Sequence, residues 1–507
     1  MNESYWTGTS GTTRYPALDA RTTADVAVVG GGLAGLWTAW ELAQAGRRVA
    51  VIEAGRIGAA STGNTTGKAT ALQSLNFSAI ARTAGQDAAR RYGQAQLLAV
   101  ERVAEVSAAL SLDCDLERRP AYLYVTLEHT LPELREELTA AVAAGVPAVF
   151  RDAIDLPFPV AGALRLDGQI QFHPRKLLLG LAQDLVRRGS VVYEDSRVVA
   201  VDDGEPCVAV TEDGASVTAE HLVIATGFPI TSTPGPRRAL RPRRELVVAG
   251  PVPAESVPEG MYITLEDSVR SVRTAPLDTS HRLLIVAGEK FTPGAGGVGE
   301  RYETLSSWAA AHVGLRQVTH RWSAQDYETE DRVPLIGKAS QSPDHAHTWI
   351  ATGFGGWGLT NAVAAGQLIT TGIAGGGLPD WAAPFSPGRL EDTDNDGAAR
   401  TGGGRSVVRH RIEPGERAAV AAIQPGEGAV VDVGGEHCAA YRDLSGILHL
   451  VSAVCSHLGG TVGFNDAEKT WECPCHGSRF APDGSVLQGP AVRPLAPVTT
   501  HLGVAAH

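Results

Sequence analysis

Two short loops near the C-terminal end hold the most specific chemistry in this chain of 507 residues. Cys455-Ser-His457 and Cys473-Pro-Cys-His476 each offer one thiolate and one imidazole, with fifteen residues between them. A C-x-H spacing is awkward for zinc, whose ligand pairs usually stand further apart. It suits two adjacent irons, each loop giving its cysteine to one metal and its histidine to the other. Three of the six cysteines, Cys455, Cys473 and Cys475, crowd into 21 residues beside histidines; the others are Cys114, Cys207 and Cys438. That is a metal pattern more than a disulfide framework, and it suits a reducing compartment. Cys455, His457, Cys473 and His476 are the expected iron ligands of a Rieske-type [2Fe-2S] centre, whose imidazoles raise the potential into a range of about −150 to +300 mV.

A second stretch, Val26 to Glu53, has the pattern of a dinucleotide site. Asp25–Val29 reads as a β-branched strand, and Gly30-x-Gly32-x-x-Gly35 as the turn after it. Leu36, Ala39, Trp40 and Ala43 recur at helical spacing, and Gly46 stands where a helix ends. A second strand then closes on Glu53, placed to accept hydrogen bonds from a ribose. The glycines permit a tight turn and a close approach to a pyrophosphate, which the helix N-terminus favours. Residues 56–67 are small and hydroxyl-bearing, and Arg56, Thr62 and Asn64 are placed to help wrap a diphosphate. A third glycine-rich turn, Ala351-Thr-Gly-Phe-Gly-Gly-Trp-Gly-Leu-Thr360, feeds a helix and directs N–H groups at an anion.

The elements that must position these motifs follow from the pattern around them. Residues 1–24 read as an extended arm. Asp87–Leu110, Pro132–Gly145 and Pro174–Arg188 read as helices, two of them with proline in the first turn. Ala121–Thr126, Ala163–Leu166 and Ala219–Ala225 read as strands, and Val191–Val201 as a strand-pair region. β-rich runs between Arg238 and Ala287 suggest a mostly antiparallel sheet inserted between halves of the nucleotide domain. The expected fold class is thus an α/β dinucleotide-binding, Rossmann-like domain, for FAD or NAD, with an inserted antiparallel substrate sheet, followed by an all-β C-terminal domain. Residues 1–384 are expected to form the first part of the chain, with nucleotide-binding parts at about 20–85, 165–230 and 325–384 and substrate parts at about 86–164 and 231–324. A Pro-, Gly- and Asp-rich linker covers 385–405, and the iron–sulfur domain 406–507. Gly294-x-Gly296-x-x-Gly299 repeats the glycine pattern without its strand and acidic tip, and Asp392-x-Asp394-x-Asp396 starts a calcium loop that has Gly403 where the closing glutamate belongs. A net charge of −12 argues against sequence-independent nucleic-acid binding. No membrane span and no leader pattern are read, so a cytoplasmic location is expected.

The first 380 or so residues resemble the D-amino-acid oxidase/glycine oxidase-type FAD-dependent oxidoreductases. The matching residues are the fingerprint with Glu53, His173-Pro174, Arg197-Val-Val, Ile224-Ala-Thr-Gly227, Asp331-Arg-Val-Pro-Leu-Ile-Gly337 and the 351–360 turn. With its tail, the whole chain resembles bacterial FAD-dependent oxidoreductases that carry a C-terminal Rieske domain. Ser4-Tyr5-Trp6 is similar to gamma-glutamylputrescine oxidase-like relatives, a pointer to amine substrates. The resemblance implies FAD, held by Gly30, Gly32, Gly35, Glu53, Arg56, Thr62, Asn64, Val198, Thr226, Gly227, Gly353, Gly355, Gly356, Trp357, Leu359 and Thr360. Asn64 stands nearest to the histidine that binds FAD covalently in some relatives, so non-covalent FAD is expected. The implied reaction is hydride transfer from an amine or amino-acid-like substrate to FAD. Single electrons then pass to the cluster and on to an external acceptor such as oxygen, a ferredoxin or a quinone. Lys68, Arg273, Tyr327 and Trp357 are the candidates for work on the substrate, whereas His173 suits packing at a helix start. The chain departs from the respiratory Rieske pattern at Gly460, where that family has a cysteine bonded to the counterpart of Cys475, and at Phe480, where it has tyrosine. Cys475 is therefore expected free, and with Ser478 kept but fewer donors the potential should fall in the lower or middle part of the range. The competing readings are an NAD(P)H-dependent reductase, for which only the Gly294 turn offers a second nucleotide site, a redox sensor, and a Rieske oxygenase, for which the domain order is reversed.

Overall fold

A computed structural model describes residues 3–230, 234–340, 347–390, 420–433 and 436–498. The expected linker from residue 391 onward, and the Asp392–Asp396 run within it, lie outside the described residues. The chain divides into two compact units. One comprises Met1–Leu240, Glu245–Lys290 and Thr304–Asp396, and the other Arg241–Arg244, Phe291–Glu303 and Gly397–His507. Among the described residues no helix is long and apolar enough to cross a membrane.

In the first unit, the strand Arg21–Val29 lies between Val49–Ile52 and Ser216–Gly227 and runs parallel to both. Val26, Ala27, Val28 and Val29 are all buried, as a strand covered on both faces requires. The register pairs Val29 with both Ile52 and Ile224. Thr348–Thr352 is a further parallel neighbour, pairing Thr352 with Gly227, and Val191–Tyr193 pairs Tyr193 with Ile52 on the other side. Five strands therefore end at one edge of the sheet, and the segments after them begin together there. The first strand starts four residues ahead of the expected Asp25 because Arg21–Ala24 pair with Ser216–Ala219, a partner remote in sequence. The expected strand pair at 191–201 separates: Val191–Tyr193 joins the parallel sheet, while Val198–Asp202 forms a hairpin with Cys207–Thr211.

A second sheet carries, in order, His320–Thr329, Leu240–Pro253, His281–Phe291, Arg270–Pro276, Met261–Thr264, Glu117–Val125, Gly162–Gln171 and Lys68–Ala69, with Val149–Arg151 on Gly162–Gln171. The expected division at about 164/165 falls inside the strand Gly162–Gln171 of this sheet. Pro120, inside Glu117–Val125, coincides with a register shift between Arg119 and Ala121, which accommodates a residue that cannot donate to the ladder. The N-terminal arm is not simply extended: Tyr5–Thr9 is a helical turn capped by Ser4.

Helices Leu33–Gln44, Gln86–Ala109 and Gly358–Ile373 share one core with Trp37, Trp40, Phe77, Tyr92, Val363 and Phe385. A buried polar network ties them at the end where the 351–360 turn enters its helix. Gln73 Nε2 donates to Gln96 Oε1 (2.9 Å) and Thr360 Oγ1 (2.9 Å), and Gln96 Nε2 donates to Asn361 Oδ1 (2.8 Å). Tyr92 donates to Gln73, and Asn76 to Tyr92. Each of these groups is nearly or wholly out of water, so every lost partner leaves an unpaired buried dipole.

The second unit contains an antiparallel three-stranded sheet, Gly428–Val433, Glu436–Arg442 and Leu448–Ser452, and an antiparallel four-stranded sheet, Gly463–Asn465, Thr470–Glu472, Arg479–Phe480 and Val486–Gln488. Its core is small: Val451, Ala453, Val462, Trp471, Phe480, Ala491 and Leu495.

The Gln96→Leu substitution strands Asn361 Oδ1 in the core, while Gln73 Nε2 keeps Thr70 O (2.8 Å) and Thr360 Oγ1 (2.9 Å). It is expected to lower the stability of the first unit by about 1–3 kcal/mol, read as a lower denaturation midpoint with an unchanged far-ultraviolet spectrum.

Candidate functional site

The edge where the parallel strands end is lined by residues that tolerate no bulk. Gly30 has φ +113°, and a Cβ there would lie 2.5 Å from Ala225 O. A Cβ at Gly35 would lie 1.9 Å from Gly30 O. Gly32 is the N-cap of helix Leu33–Gln44 and has no side chain to close it, while Thr62 Oγ1 accepts from Leu33 N (3.0 Å). Glu53 stands at its strand tip and accepts from Gly31 N (2.6 Å) and Gly55 N (2.9 Å). Burial holds its carboxyl above the ordinary range, partly offset by those two N–H groups. The backbone turn, the helix start and the acid therefore meet, which is the cradle a dinucleotide needs.

Several expected residues have partners within the protein. Arg56 pairs with Glu194 (3.0 Å) and Asp195 (2.9 Å). Glu194 also accepts from Ile57 N (2.8 Å), Tyr15 N (3.0 Å) and the Thr13 hydroxyl, so it fastens both the arm and the 56–67 loop. Sequence reasoning missed Glu194, although an acid directly after a short strand repeats the placement of Glu53. Asn64 Nδ2 donates to Ala60 O (2.9 Å) and Ala59 O (3.2 Å). Val198 is buried at the start of its strand. Thr226 Oγ1 donates to Phe228 O (2.6 Å), and Gly227 takes φ +76° against the Tyr327 ring. In the 351–360 turn, Gly353, Gly355 and Gly356 all have positive φ. Trp357 is the N-cap of the helix, and Leu359 and Thr360 are buried in its first turn.

Of the four catalytic candidates, Lys68 alone combines an ionisable group with a titration point near neutrality. It lies half-buried on the edge strand Lys68–Ala69, paired with Gln171, and donates to the Ser271 hydroxyl and to Tyr262 O (3.5 Å). Burial lowers its pKa to about 7; Glu245 opposes that shift and the charges of Arg273 and Lys290 add to it. Asp326 sits by the glycine turn, accepting from Gly356 N (2.6 Å) and Tyr327 N (2.8 Å), and burial raises it to about 6. No local signal marked Asp326 in the sequence. Arg273 is 1% exposed, donates to Gly67 O (2.5 Å) and Thr274 O (3.1 Å), and lies over the Trp6 ring at 5.3 Å. That role is structural: with Trp6 Nε1 donating to Thr65 O (2.6 Å), it braces the loop before Lys68. Tyr327 is buried, its hydroxyl accepting from Gln325 Nε2 (3.0 Å). His173 caps the helix Pro174–Arg187 through Nδ1, accepting from Lys176 N (3.2 Å), and burial lowers it to about 4.

In the second unit, the two ligand loops follow the strands Leu448–Ser452 and Thr470–Glu472. Cys455 and Cys473 are each 2% exposed. The Cys473 thiol, the N–H groups of His457 and Leu458 and the Ser478 hydroxyl all bond to the Cys455 sulfur and hold it below the ordinary thiol range, while the Cys473 thiol that donates is held above it. The His457 and His476 rings lie 5.0 Å apart at 84°. The four side chains thus form a cysteine pair and a histidine pair, and donors from the backbone and Ser478 already converge on one of the sulfurs, which suits a [2Fe-2S] cluster with two cysteine and two histidine ligands. A Cβ at Gly460 would lie 2.6 Å from Cys475 Sγ. All six cysteines are free thiols. At the Gly294 turn the N–H groups are already taken: Gly294 N donates to Glu472 (3.1 Å), and Val298 N and Gly299 N donate to Asp466 (2.7 and 3.0 Å). A second nucleotide has no free donors at those three positions.

Comparison with known proteins agrees with this geometry. Residues 25–371 match the family model for FAD-dependent oxidoreductases of the DAO type, and residues 415–500 match that for the Rieske [2Fe-2S] domain. YhfW of Bacillus subtilis (strain 168), named for a Rieske 2Fe-2S centre, is 33% identical over 501 residues, covering 97% of each chain. Gamma-glutamylputrescine oxidoreductase of Escherichia coli (strain K12) is 27% identical over 74% of this chain and 91% of that protein. Among solved structures, glycine oxidase from Geobacillus kaustophilus shares the fold with a TM-score of 0.58 at 21% identity, over 72% of this chain and 98% of that one.

Two substitutions test the cradles. Gly35→Val drives a side chain into Gly30 O and is expected to yield protein with its flavin absorbance lost and its iron–sulfur EPR signal retained. Gly460→Cys is expected to close a disulfide with Cys475, so that the denatured variant titrates one thiol fewer than the parent rather than one more.

Proposed function

Because the chain belongs to the FAD-dependent oxidoreductase family and carries a C-terminal Rieske [2Fe-2S] domain, we propose that it oxidises an amine or amino-acid-like substrate at a C–N bond and delivers the electrons to an external acceptor. The observation that carries this reading is Lys68, an amine held near neutrality at the edge of the second sheet. The names of the relatives support the substrate class, since glycine and gamma-glutamylputrescine are both nitrogen compounds. Bound FAD supplies a two-electron hydride acceptor and the cluster a one-electron carrier, so a paired oxidation can leave the protein as single electrons to oxygen, a ferredoxin or a quinone.

The protein's own residues then have distinct tasks. Gly30, Gly32 and Gly35 admit the pyrophosphate to the N-terminus of Leu33–Gln44, and Glu53 accepts from the ribose. Thr62, Asn64, Val198, Thr226 and Gly227 line the same edge, where Asn64 makes no covalent link. Gly353, Gly355, Gly356, Trp357, Leu359 and Thr360 would direct the N–H groups at the start of the helix Gly358–Ile373 toward bound FAD, where they would stabilise negative charge. Cys455, His457, Cys473 and His476 hold the cluster. Lys68 takes the proton from the substrate ammonium, because expulsion of a hydride from carbon needs the nitrogen lone pair free. Lys68 is neutral, and so competent as a base, above about pH 7.

An anaerobic titration with a panel of amines and amino acids, following flavin bleaching and the Rieske EPR signal together, tests the reading: one compound should bleach the flavin and then raise the cluster signal. Bleaching by NADH alone would sink it. In stopped flow, the rate of flavin reduction should rise through about pH 7 and level off above it. Lys68→Met is expected to lower the limiting rate by about 10²-fold or more and to remove that limb of the profile, with FAD content unchanged.

A further inference from the structure

The second cluster loop is gripped at both ends by one charge network, and a residue far away in sequence completes it. Glu472 directly precedes Cys473, and Arg479 directly follows Ser478. The two face each other across the hairpin Thr470–Glu472/Arg479–Phe480. Glu472 is fully buried and accepts from Asn465 Nδ2 (3.0 Å), Thr470 Oγ1 (3.2 Å) and Gly294 N (3.1 Å), while Arg479 Nε stands 3.5 Å away as an ion pair without a hydrogen bond. Arg244, 1% exposed, donates one guanidinium nitrogen to Glu472 and the other to both oxygens of Glu468 (2.7 Å each). Glu468 in turn accepts from Arg479 (2.5 Å). Two cations and two anions therefore neutralise one another out of water, an arrangement whose members hold geometry because none can leave without stranding a charge.

The segment Phe291–Glu303 belongs to the same unit. The guanidinium groups of Arg244 (5.6 Å) and Arg301 (5.9 Å) both lie over the Phe291 ring. Gly294 packs backbone to backbone on Gly463, where a Cβ would meet Gly294 O at 2.1 Å. Asp466 accepts from the N–H groups of Val298 and Gly299 at the start of the helix Val298–Val313. The G-x-G-x-x-G run that resembles a nucleotide turn thus receives a carboxylate of the protein itself at the helix start, by the physics that would otherwise favour a phosphate.

We infer that Arg244 is a positioning residue for the [2Fe-2S] cluster, setting the Cys473–His476 loop through Glu472 and Arg479, and that the Gly294–Gly299 turn with Asp466 is its second anchor. The compact unit that carries the cluster then also takes in Arg241–Arg244 and Phe291–Glu303. Lysine cannot replace Arg244, because a single ammonium cannot fork between two carboxylates. The inference rests on the proposed ligands Cys455, His457, Cys473 and His476.

The test uses the full-length holoprotein and the variants Arg244→Met, Arg244→Lys and Asp466→Asn. Arg244→Met is expected to change the g-values of the reduced cluster, to shift its midpoint potential, and to bleach in chelator about 10-fold faster than the parent, while the flavin spectrum stays the same. Arg244→Lys should fold and lie between the two. Asp466→Asn should speed bleaching without moving the g-values as far. If Arg244→Met does not accumulate with cluster, Arg244→Lys decides: native g-values, potential and bleaching rate in that variant overturn the inference, as they would in Arg244→Met. Parental bleaching in Asp466→Asn removes the second anchor. A parent protein without a Rieske EPR signal would instead refute the ligand assignment.

Discussion

Everything at the flavin end of this protein depends on one strand having parallel partners on both sides. Arg21–Val29 is held in register with Val49–Ile52 and Ser216–Gly227, and the latter with Thr348–Thr352. Parallel strands in register end at one edge, and that edge is where a ligand meets helix N-termini and free backbone N–H groups. The tight turn after Val29 is possible only because Gly30 takes a left-handed φ under Ala225 O and Gly35 lets the helix touch Gly30 O. The acidic tips at Glu53 and Glu194 and the glycine turn at 353–356 reach the same edge by strand register alone.

Around that edge the protein spends buried polar groups on rigidity. Glu194 fastens the arm and the 56–67 loop, and Arg273 with Trp6 braces the segment leading into Lys68. The Gln73–Gln96–Asn361 network fixes the helix that starts at Gly358. These groups do no chemistry in the proposed reaction. They determine where Lys68, Asp326 and the glycine turns stand, and burial near those loops is what brings Lys68 and Asp326 to titrate near neutrality.

The cluster unit follows a different logic. Its hydrophobic core is small, and a small core leaves ligand loops weakly held. A buried network of charges at the base of the second loop, and donors aimed at Cys455 from the first, supply the definition that packing lacks. At Gly460 the Cys475 sulfur packs where a Cβ would stand, and Cys475 is a free thiol, so the sulfur environment is set by hydrogen bonds rather than by a cross-link.

The amino-acid sequence by itself determined what depends on residue type and short spacing. The glycine fingerprint with Glu53, the paired Cys-x-His loops, the helix starting at Pro174 and the helix-ending Gly46 could all be read locally, because turns, caps and metal ligands are local demands. The dinucleotide-binding fold and the iron–sulfur cluster followed from them, while the choice of FAD over NAD came from the resemblance to a family. Tertiary structure alone decided which side chains are spent on scaffolding. Arg273 was a catalytic candidate until Gly67 O and Trp6 enclosed it, and Arg56 faced a diphosphate on paper but meets Glu194 and Asp195. Asp326, Glu194 and Arg244 carried no local signal strong enough to single them out, since their roles are set by groups 30, 138 and 228 residues away. Charge pairing and burial are properties of neighbours in space, and a linear pattern records only neighbours along the chain.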